Sequence, residues 1–310
     1  MSGSLRQPNL RLSEKFKDNF MTTQNLIIQA HDIETHDLKS LHGLAHANAI
    51  EKIDGVFLHQ AFRLTDANPA SMESVKSYCE QAKLDFAFVD SASVLSDFKL
   101  IVSDMDSTLI TIECIDEMAD YAGKKAEVAA VTEAAMRGEL DWSASLRQRV
   151  LALAGLPEAV LERVYDERLQ LSPGAENLIR AAKKHDIKLL LVSGGFTFFT
   201  EKLKSRLGFD FAFSNTLEVI DGKLTGRVLG ALCDADAKAT HVRNTASMLG
   251  FGASQILALG DGANDLKMMA AAGTSIAYHA TPVVQASATH ALTHVGLDGV
   301  LALFSPANVL

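Results

Sequence analysis

The sequence predicts an α/β protein that contains a doubly wound parallel sheet, a helical cap inserted after the first strand of that sheet, and a small N-terminal α+β module. Three observations support this prediction. Apolar strand-like runs alternate with helical segments from Lys99 onward, the alternation stops between Ile115 and about Leu171, and a shorter mixed pattern precedes Lys99. Near-continuous apolar strands separated by helices are typical of a parallel sheet covered on both faces.

Composition narrows the class of protein. The chain has 310 residues, of which 48% are hydrophobic and 22% charged, as in globular proteins. Its net charge of −9 disfavours nucleic acid and anionic membranes as partners, because both would repel it. Cys79, Cys114 and Cys233 form no CxxC or metal-ligand spacing, so we expect reduced thiols in a cytoplasmic protein. We also expect neither a membrane span nor a secretory leader.

The N-terminal part divides into a start and a small module. Residues 1–24 are polar and we expect them to be disordered, with Met21 as a second possible start. The module covers 25–96. Its predicted elements are the strand NLIIQA, a helix from about Asp37 to Ala47, the strand VFLHQAFRL, a helix from Met72 to Ala82 and the strand FAFVDS. This order suits a ferredoxin-like or ACT-like module, which could pack, form a homodimer or bind an amino acid as a regulator.

The second predicted unit covers 97–310. Its strand-like runs are KLIVSD, KLLLVSG, FAFSN, QILALGD, TSIAYHA and ALTHV. The insertion at about 115–171 consists of successive amphipathic helical stretches with Gly or Pro at their ends, which is typical of a cap over a site. The segment 217–229 predicts a β-hairpin with Asp221-Gly222 at its turn.

Three predicted strands end in polar residues. These are Asp104 and Asp106 after LIVS, Ser193 with Gly194 and Gly195 after LLLV, and Asp261 with Gly262, Asn264 and Asp265 after LALG. Ligands of open α/β sheets bind beyond the carboxyl ends of the strands, so we expect all three groups on one rim. Each motif alone could be a helix N-cap or a tight turn. Together with an isolated lysine, they favour an active site.

Phosphoryl transfer gives each of these residues a chemical reason. Asp104 could attack phosphorus, and Asp106 could protonate the leaving alkoxide and later deprotonate water. Carboxylates repel an incoming phosphate, so we expect Mg²⁺, held by Asp104, Asp261 and the backbone carbonyl near Asp106.

The phosphoryl oxygens need hydrogen-bond donors. Candidates are the Ser193 hydroxyl, the Gly194 amide at a helix N-terminus, and Lys238, which we expect just before the next helix. Asn264 and Asp265 could orient the lysine and nearby waters. Two further acids in this segment, Asp234 and Asp236, could cap a helix or tune the lysine.

The segments DMDST, VSGG and GDGAND, together with Lys238, resemble the four motifs of the haloacid dehalogenase (HAD) superfamily of phosphohydrolases, over about Lys99 to Phe304. Within it, the chain is most similar to the phosphoserine phosphatases. The similarity rests on Glu113, on 115-IDE-117 and on the cap segment 135-AMRGELDWSASLRQRV-150.

This resemblance implies a HAD-like, Rossmannoid fold and a Mg²⁺-dependent hydrolysis of O-phospho-L-serine to L-serine and phosphate through an aspartyl-phosphate, the last step of serine biosynthesis. It also implies that Glu113 binds the substrate ammonium, that Arg149 binds its carboxylate, and that Met136 and Trp142 shield the site. Trp142 stands where the family usually has phenylalanine.

Other interpretations remain open at this point. The chain could be a HAD phosphatase or phosphotransferase that acts on another small phosphorylated metabolite, or a catalytically silent binding protein. Without the resemblance, Arg149 could be an exposed helix charge and Met136 ordinary core filling.

Overall fold

The computed structural model describes residues 23–137 and 139–306, which form two β-sheets with helices packed on them. Most of the segment predicted to be disordered, residues 1–22, lies outside the described part of the chain. Within that part, no helix has the length and apolar character needed to cross a membrane. Cys79, Cys114 and Cys233 are free thiols and all three are buried.

The small sheet contains the first four strands. The elements are β1 (Gln24–Ala30), α1 (Thr35–Leu44), β2 (Ala49–Lys52), β3 (Gln60–Ala67), α2 (Met72–Ala82) and β4 (Asp85–Asp90). The strands are antiparallel in the order β2-β3-β1-β4. A β-α-β-β-α-β sequence of elements is that of the ferredoxin-like split βαβ unit.

Two details of this module differ from the prediction. Strand β2 was missed, because its sequence AIEK lies at the edge of the sheet and three of its four residues are exposed, so it carries no apolar alternation. The predicted strand VFLHQAFRL begins only at Gln60, and the residues before Gln60 form a loop. Part of this loop binds the second unit, since the Leu58 amide donates to Asp298 Oδ2 at 2.9 Å.

The large sheet has seven strands in the order β11-β10-β9-β5-β6-β7-β8. They are β5 (Leu100–Ser103), β6 (Lys188–Phe196), β7 (Phe211–Ile220), β8 (Lys223–Leu229), β9 (Ile256–Gly260), β10 (Thr274–Tyr278) and β11 (His290–Leu292). All neighbours are parallel except β8, which pairs antiparallel with β7. The predicted strand FAFSN and the first strand of the predicted hairpin are thus one continuous strand.

Side chains of successive strand residues enter two different cores. Ile101, Leu189 and Leu191 belong to one core, whereas Leu100, Val102, Leu190 and Val192 belong to the other. The helices outside the cap are α7 (Ala175–Lys184), α8 (Thr197–Leu207), α9 (Ala235–Leu249), α10 (Leu266–Met269), α11 (Pro282–Ser287) and α12 (Gly299–Leu303). The predicted doubly wound α/β class is confirmed.

The cap is inserted between β5 and α7, as predicted. Its helices are α3 (Cys114–Asp120), α4 (Lys125–Met136), α5 (Trp142–Ala152) and α6 (Ala159–Glu167). The chain enters and leaves the cap side by side: Thr111 N donates to Gln170 O and Ser172 N donates to Leu109 O, both at 3.0 Å. The β7-β8 hairpin turns at Asp221-Gly222, where both residues have positive φ, and β8 packs against α5.

Candidate active site

The three polar strand ends meet as predicted, because β9, β5 and β6 are neighbours in the large sheet. They form the floor of a cavity, and the cap forms its roof. The lining residues include Asp104, Asp106, Glu113, Thr132, Trp142, Leu146, Arg149, Gly194, Gly195 and Asn264. Most of the residues predicted from sequence therefore surround one space.

Lys238 links two of the strand ends. Its fully buried Nζ donates to Asp104 Oδ1 at 2.8 Å and to Asp265 Oδ1 at 2.7 Å. Burial acts to lower the pKa of Lys238, but the two carboxylates outweigh it and the pKa is raised. The lysine is therefore an ammonium that neutralises part of the acidic floor.

The position of Lys238 differs from the prediction in one respect. It lies inside the first turn of α9 and not before the helix, because the helix already begins at Ala235. Asp234 is the N-cap of α9, where its Oδ1 accepts from Ala237 N at 2.9 Å. Asp236 instead pairs with the exposed Lys267 at 2.8 Å. Among the described residues, the carboxylates bonded to the Lys238 ammonium are therefore those of Asp104 and Asp265, and not those of Asp234 or Asp236.

An acidic group lies beside the lysine. Asp104, Asp261 and Asp265 each offer a carboxylate oxygen, and these oxygens lie within 4.8 Å of one another. Burial and repulsion from Asp265 raise the pKa of Asp104 well above its usual range, and the same two causes raise the pKa of Asp261 to about 7. Such a crowded set of hard oxygen donors suits a divalent cation, which would favour the charged forms.

Asp106 is held away from this acidic group. Its Oδ1 accepts from Cys114 N at 2.8 Å, and its Oδ2 accepts from Ser193 Oγ at 3.4 Å. The structure therefore brings Asp265, and not the Asp106 side chain, beside Asp104 and Asp261. The metal ligand predicted near Asp106 would thus be a backbone carbonyl and not its carboxylate. Burial raises the pKa of Asp106. A carboxyl group with a raised pKa can donate a proton near neutral pH.

The Ser193 segment approaches Asp106 closely. Gly195 N donates to Ser193 Oγ at 2.8 Å, and a Cβ on Gly195 would lie 2.6 Å from Asp106 Oδ2. Strand β6 continues through Phe196, and α8 begins only at Thr197. The Gly194 amide thus lies in extended backbone, three residues before the helix, and not at a helix N-terminus as predicted.

Asn215 supports this segment and was missed by the sequence analysis. Its buried side chain donates to Gly194 O at 2.8 Å and accepts from Cys233 N at 2.8 Å. It therefore ties the Ser193 segment to the chain that leads into α9. The signal available in the sequence was a polar residue at the end of the apolar run FAFSN.

The cap contributes a buried cation. Arg149 is 5% exposed, and it donates to Ser145 O at 3.3 Å and to Thr132 Oγ1 at 3.2 Å. The alternative that it is an exposed helix charge is wrong. Burial lowers the pKa of Arg149, although Glu113 and Asp116 oppose this effect.

Glu113 is an acid that lines the same cavity. Its Oε1 accepts from Ser107 Oγ at 2.7 Å, at a turn where Ser107 has a φ of 56°. Burial and repulsion from Asp106 raise the pKa of Glu113 well above its usual range. A bound ammonium group would remove this penalty, because it supplies the missing positive charge.

Trp142 covers the floor from the start of α5. A Cβ on Gly194 would lie 2.4 Å from Trp142 Cζ2, so the indole ring packs directly on the glycine. Asn264 also lines the cavity, and its Oδ1 is buried without a hydrogen-bond partner among the described residues. The side chain of Met136, predicted to shield the site, lies outside the described part of the structure.

The geometry unites a carboxylate beside an ammonium, a second carboxyl group with a raised pKa, and a space under the cap that is lined by one further acid and one arginine. A carboxylate placed in this way can attack an electrophile, and the second carboxyl group can exchange a proton with the leaving group. The acid and the arginine above them suit a zwitterionic head group.

Comparison with protein families gives two matches. Residues 101–270 match the model of the haloacid dehalogenase-like hydrolases. Residues 26–75 match a domain of unknown function (DUF4072). The first match covers the large sheet from β5 to α10, including the cap and all three strand ends.

Individual relatives agree with the first match. A phosphoserine phosphatase from Polaromonas sp. is 55% identical over 214 residues, which cover 67% of this chain and 91% of the relative. The crystal structure of a probable phosphoserine phosphatase from Vibrio cholerae superposes with a TM-score of 0.77 at 40% identity, covering 92% of this chain and 87% of the other. The crystal structure of a HAD family hydrolase from Salmonella enterica serovar Typhi superposes with a TM-score of 0.81 at 33% identity, covering 93% of this chain and 99% of the other.

Proposed function

The chain belongs to the phosphoserine phosphatases of the haloacid dehalogenase-like hydrolase family, and we propose that it hydrolyses O-phospho-L-serine through a phosphorylated Asp104. In the first step, an Asp104 carboxylate oxygen forms a bond to phosphorus and the bond between phosphorus and the serine oxygen breaks. Lys238, 2.8 Å from Asp104 Oδ1, favours the ionised form of this carboxylate against the effect of burial, and it compensates charge on the phosphoryl group.

Asp106 moves the proton in both halves of the reaction. It gives a proton to the leaving serine oxygen, which its raised pKa permits. It then accepts a proton from the water that attacks phosphorus in phospho-Asp104, which releases phosphate and restores both aspartates. We assign phosphoryl oxygens to Ser193 Oγ, which lies 3.4 Å from Asp106 Oδ2, and to the amide of Gly194, a residue that lines the cavity.

We propose Mg²⁺ as the cofactor, bound by Asp104, Asp261 and the backbone carbonyl near Asp106. When bound, Mg²⁺ neutralises charge on the carboxylates and on the phosphoryl oxygens. Asp265 contributes differently, because it bonds to Lys238 and accepts from the amides of Asp261 and Gly262 at 3.2 Å. Its carboxylate therefore orients the lysine and the loop that carries Asp261.

Residues of the cap bind the amino-acid head group of the substrate. We assign its ammonium group to Glu113 and its carboxylate to Arg149, whose planar fork can donate two parallel hydrogen bonds. Trp142 covers the space over the phosphate and Asn264 lines it, whereas the shielding role of Met136 stays a prediction. The observation that carries this proposal is that Asp104, Asp106, Glu113 and Arg149 line one cavity.

The direct test is phosphate release from L-phosphoserine, phosphothreonine, phosphoethanolamine and p-nitrophenyl phosphate, with Mg²⁺ and then with EDTA. We expect Mg²⁺-dependent turnover with a strong preference for phosphoserine. Turnover of the whole panel without that preference would leave a HAD phosphatase for another small metabolite. No turnover of any ester would leave a binding protein.

The Arg149→Ala variant tests the assignment of the substrate carboxylate. Loss of a charge-assisted hydrogen bond should reduce kcat/KM for phosphoserine about 100-fold. Phosphoethanolamine has no carboxylate, so its kcat/KM should change much less. Equal losses for the two substrates would refute the role of Arg149 in binding the carboxylate.

Two wider expectations belong to the same proposal. We propose that the enzyme works in the cytoplasm, where it supplies serine in biosynthesis. The homodimer stays a prediction, and size-exclusion chromatography with light scattering would test it.

A further inference from the structure

We infer that Asp116, acting through the Thr132 hydroxyl, is a positioning residue that holds the Arg149 guanidinium in the orientation needed to bind the substrate carboxylate. This inference rests on the proposed function. It assigns a role to two residues that lie behind the binding arginine and on different cap helices, Asp116 on α3 and Thr132 on α4.

Arg149 needs such support because its buried guanidinium is held only by hydrogen bonds to uncharged acceptors among the described residues. Its Nε donates to Ser145 O at 3.3 Å, which is a carbonyl one turn earlier in α5. Its Nη1 donates to Thr132 Oγ1 at 3.2 Å. A long side chain loses substantial rotamer entropy when it is held in one orientation, so these two bonds decide how the fork is aimed.

Thr132 can serve Arg149 only if its hydroxyl proton points elsewhere. Thr132 is 3% exposed, and its hydroxyl oxygen lies 2.7 Å from Asp116 Oδ1 and 3.1 Å from Val128 O. A hydroxyl has one proton and two lone pairs. The shorter bond to a carboxylate is the stronger one, so the proton points at Asp116 and a lone pair faces Arg149.

Asp116 acts behind the cavity wall. It is 9% exposed, and Thr132 lines the cavity whereas Asp116 does not. Its charge also opposes the effect of burial on Arg149, so it partly compensates a buried cation without occupying the place of the substrate carboxylate. Within the described part of the chain, Arg149 donates through Nε and Nη1, which leaves Nη2 for the ligand.

Asp116 could instead be a purely structural residue, because it lies in the first turn of α3, where a carboxylate favours helix formation. The two roles predict different kinetics. A structural role would lower the stability of the cap and affect all substrates alike. A positioning role would affect substrates in proportion to their use of Arg149.

The experiment compares steady-state kinetics of the Mg²⁺-loaded enzyme on L-phosphoserine and on phosphoethanolamine, which lacks only the carboxylate. For Thr132→Val we expect KM for phosphoserine to rise about tenfold with kcat within about twofold, so that the ratio of the two kcat/KM values falls about tenfold. Thr132→Ser keeps the hydroxyl and should retain the wild-type ratio. Asp116→Asn should lower the ratio about fivefold.

Asp120→Asn is the matched control, because Asp120 lies on the same helix but pairs with Arg168 at 2.8 Å on the surface. It should leave the ratio unchanged. Equal losses on both substrates in Thr132→Val and Asp116→Asn would overturn the inference, and so would a Thr132→Ser variant as impaired as Thr132→Val. A wild-type enzyme without preference for phosphoserine would overturn the proposed function first, independently of these variants.

Discussion

Lys238 supplies a buried positive charge to the catalytic floor. It is completely buried and contacts two carboxylates, Asp104 and Asp265. Neither carboxylate lies at the surface, since Asp104 is 4% exposed and Asp265 is fully buried. Removing the ammonium would therefore leave buried acids that repel one another.

We predict that Lys238→Met lowers phosphate release from phosphoserine at least 1000-fold, a rough value for loss of a charge that stabilises the transition state. The free energy of unfolding should fall by about 3–5 kcal/mol without Mg²⁺, and less with it, because the cation compensates the same acids. Kinetics and urea unfolding measure both effects. Lys267→Met, which removes an exposed ion pair with Asp236, should cost less than about 1 kcal/mol. A Lys238→Met enzyme with a tenth of the wild-type activity would contradict this account.

Some site residues could be predicted from the sequence and others could not. Asp104, Ser193 and Asp261 follow apolar strand runs directly, so a local pattern and the rule for parallel sheets placed them together. Thr132 and Asn215 escaped prediction, because each acts on an atom of another element. Nothing in the local sequence of a residue shows which side chain will pack opposite it.

At the scale of elements, the cap contacts the end of β6 above the floor of the site. Trp142, the first residue of α5, packs on Gly194, the seventh residue of β6. A glycine here allows the ring to lie directly on the backbone. Any side chain would separate the cap from the floor.

We predict that Gly194→Ala lowers kcat/KM for phosphoserine about 100-fold, because its Cβ would lie 2.4 Å from Trp142 Cζ2 and the cap could not close. Trp142→Phe lacks the outer ring atoms that meet this Cβ, so the double variant should recover much of the loss. A double-mutant cycle measures this coupling. Strictly additive losses would show that the two residues act independently.

The small sheet is fixed to the large one by a carboxylate. Asp85, the first residue of β4, accepts from the amides of Thr293, His294 and Val295 at 2.8 to 3.0 Å. These amides follow β11 directly. The three bonds satisfy buried donors that would otherwise lack partners, so they join the two sheets specifically.

We predict that Asp85→Asn lowers the free energy of unfolding by about 2–3 kcal/mol, because one oxygen becomes a donor that faces other donors. Urea unfolding measures the change. Asp54→Asn is the control, since Asp54 is exposed and pairs with exposed Lys52 at 3.5 Å; its free energy of unfolding should stay within about 0.5 kcal/mol of the wild type. A loss as small as that of the control would show that the docking does not depend on Asp85.

Elements differ in how well their sequences reveal them. Helix α2 has the predicted bounds, because apolar residues at helical spacing mark its buried face. Strand β2 was missed because an exposed edge strand has no buried face to mark. The start of helix α9 was predicted after Lys238, whereas the helix begins at Ala235. The N-cap Asp234 was not used to set this start, because it was also a candidate to tune the lysine.

At the scale of the whole molecule, the stability of the fold should depend on pH through His290. This histidine lies in β11 and its ring is 6.1 Å from that of Phe304. Burial lowers the pKa of His290 from 6.5 to about 4. The folded protein therefore resists protonation of this ring, whereas the unfolded chain accepts it near pH 6.5.

We predict that this contribution to stability is complete above pH 6.5 and is lost as the pH falls towards 4. Between pH 7 and pH 4.5 the wild type should lose about 2 kcal/mol more than His290→Gln, which cannot titrate; the value is reduced from the full shift because the ring partly reaches solvent. Urea unfolding at the two pH values measures the difference. Parallel curves for the two proteins would contradict the assignment to His290.

The arrangement of the large sheet was accessible from sequence, because alternating apolar strands and helices leave few topologies for a doubly wound sheet. The way in which the small sheet docks on the large sheet could not be predicted from the sequence. Asp85 and Arg63 bind backbone groups more than 200 residues away, in the case of Arg63 the carbonyls of Ser305 and Pro306. Backbone acceptors and donors look alike at every position of a sequence, so no pattern identifies them.

The central claim, that Asp104 carries the phosphoryl group, is tested most directly by trapping it. Enzyme in excess is mixed with L-phosphoserine that carries radioactive phosphorus, in the presence of Mg²⁺, and samples are quenched in acid at successive times to measure label bound to the protein. Parallel samples are reduced with borohydride, which converts an aspartyl-phosphate to homoserine. We predict protein-bound label that rises and decays within one turnover, homoserine at position 104, and neither in Asp104→Asn. Full phosphate release without label at any time, or homoserine at another position, would contradict the account.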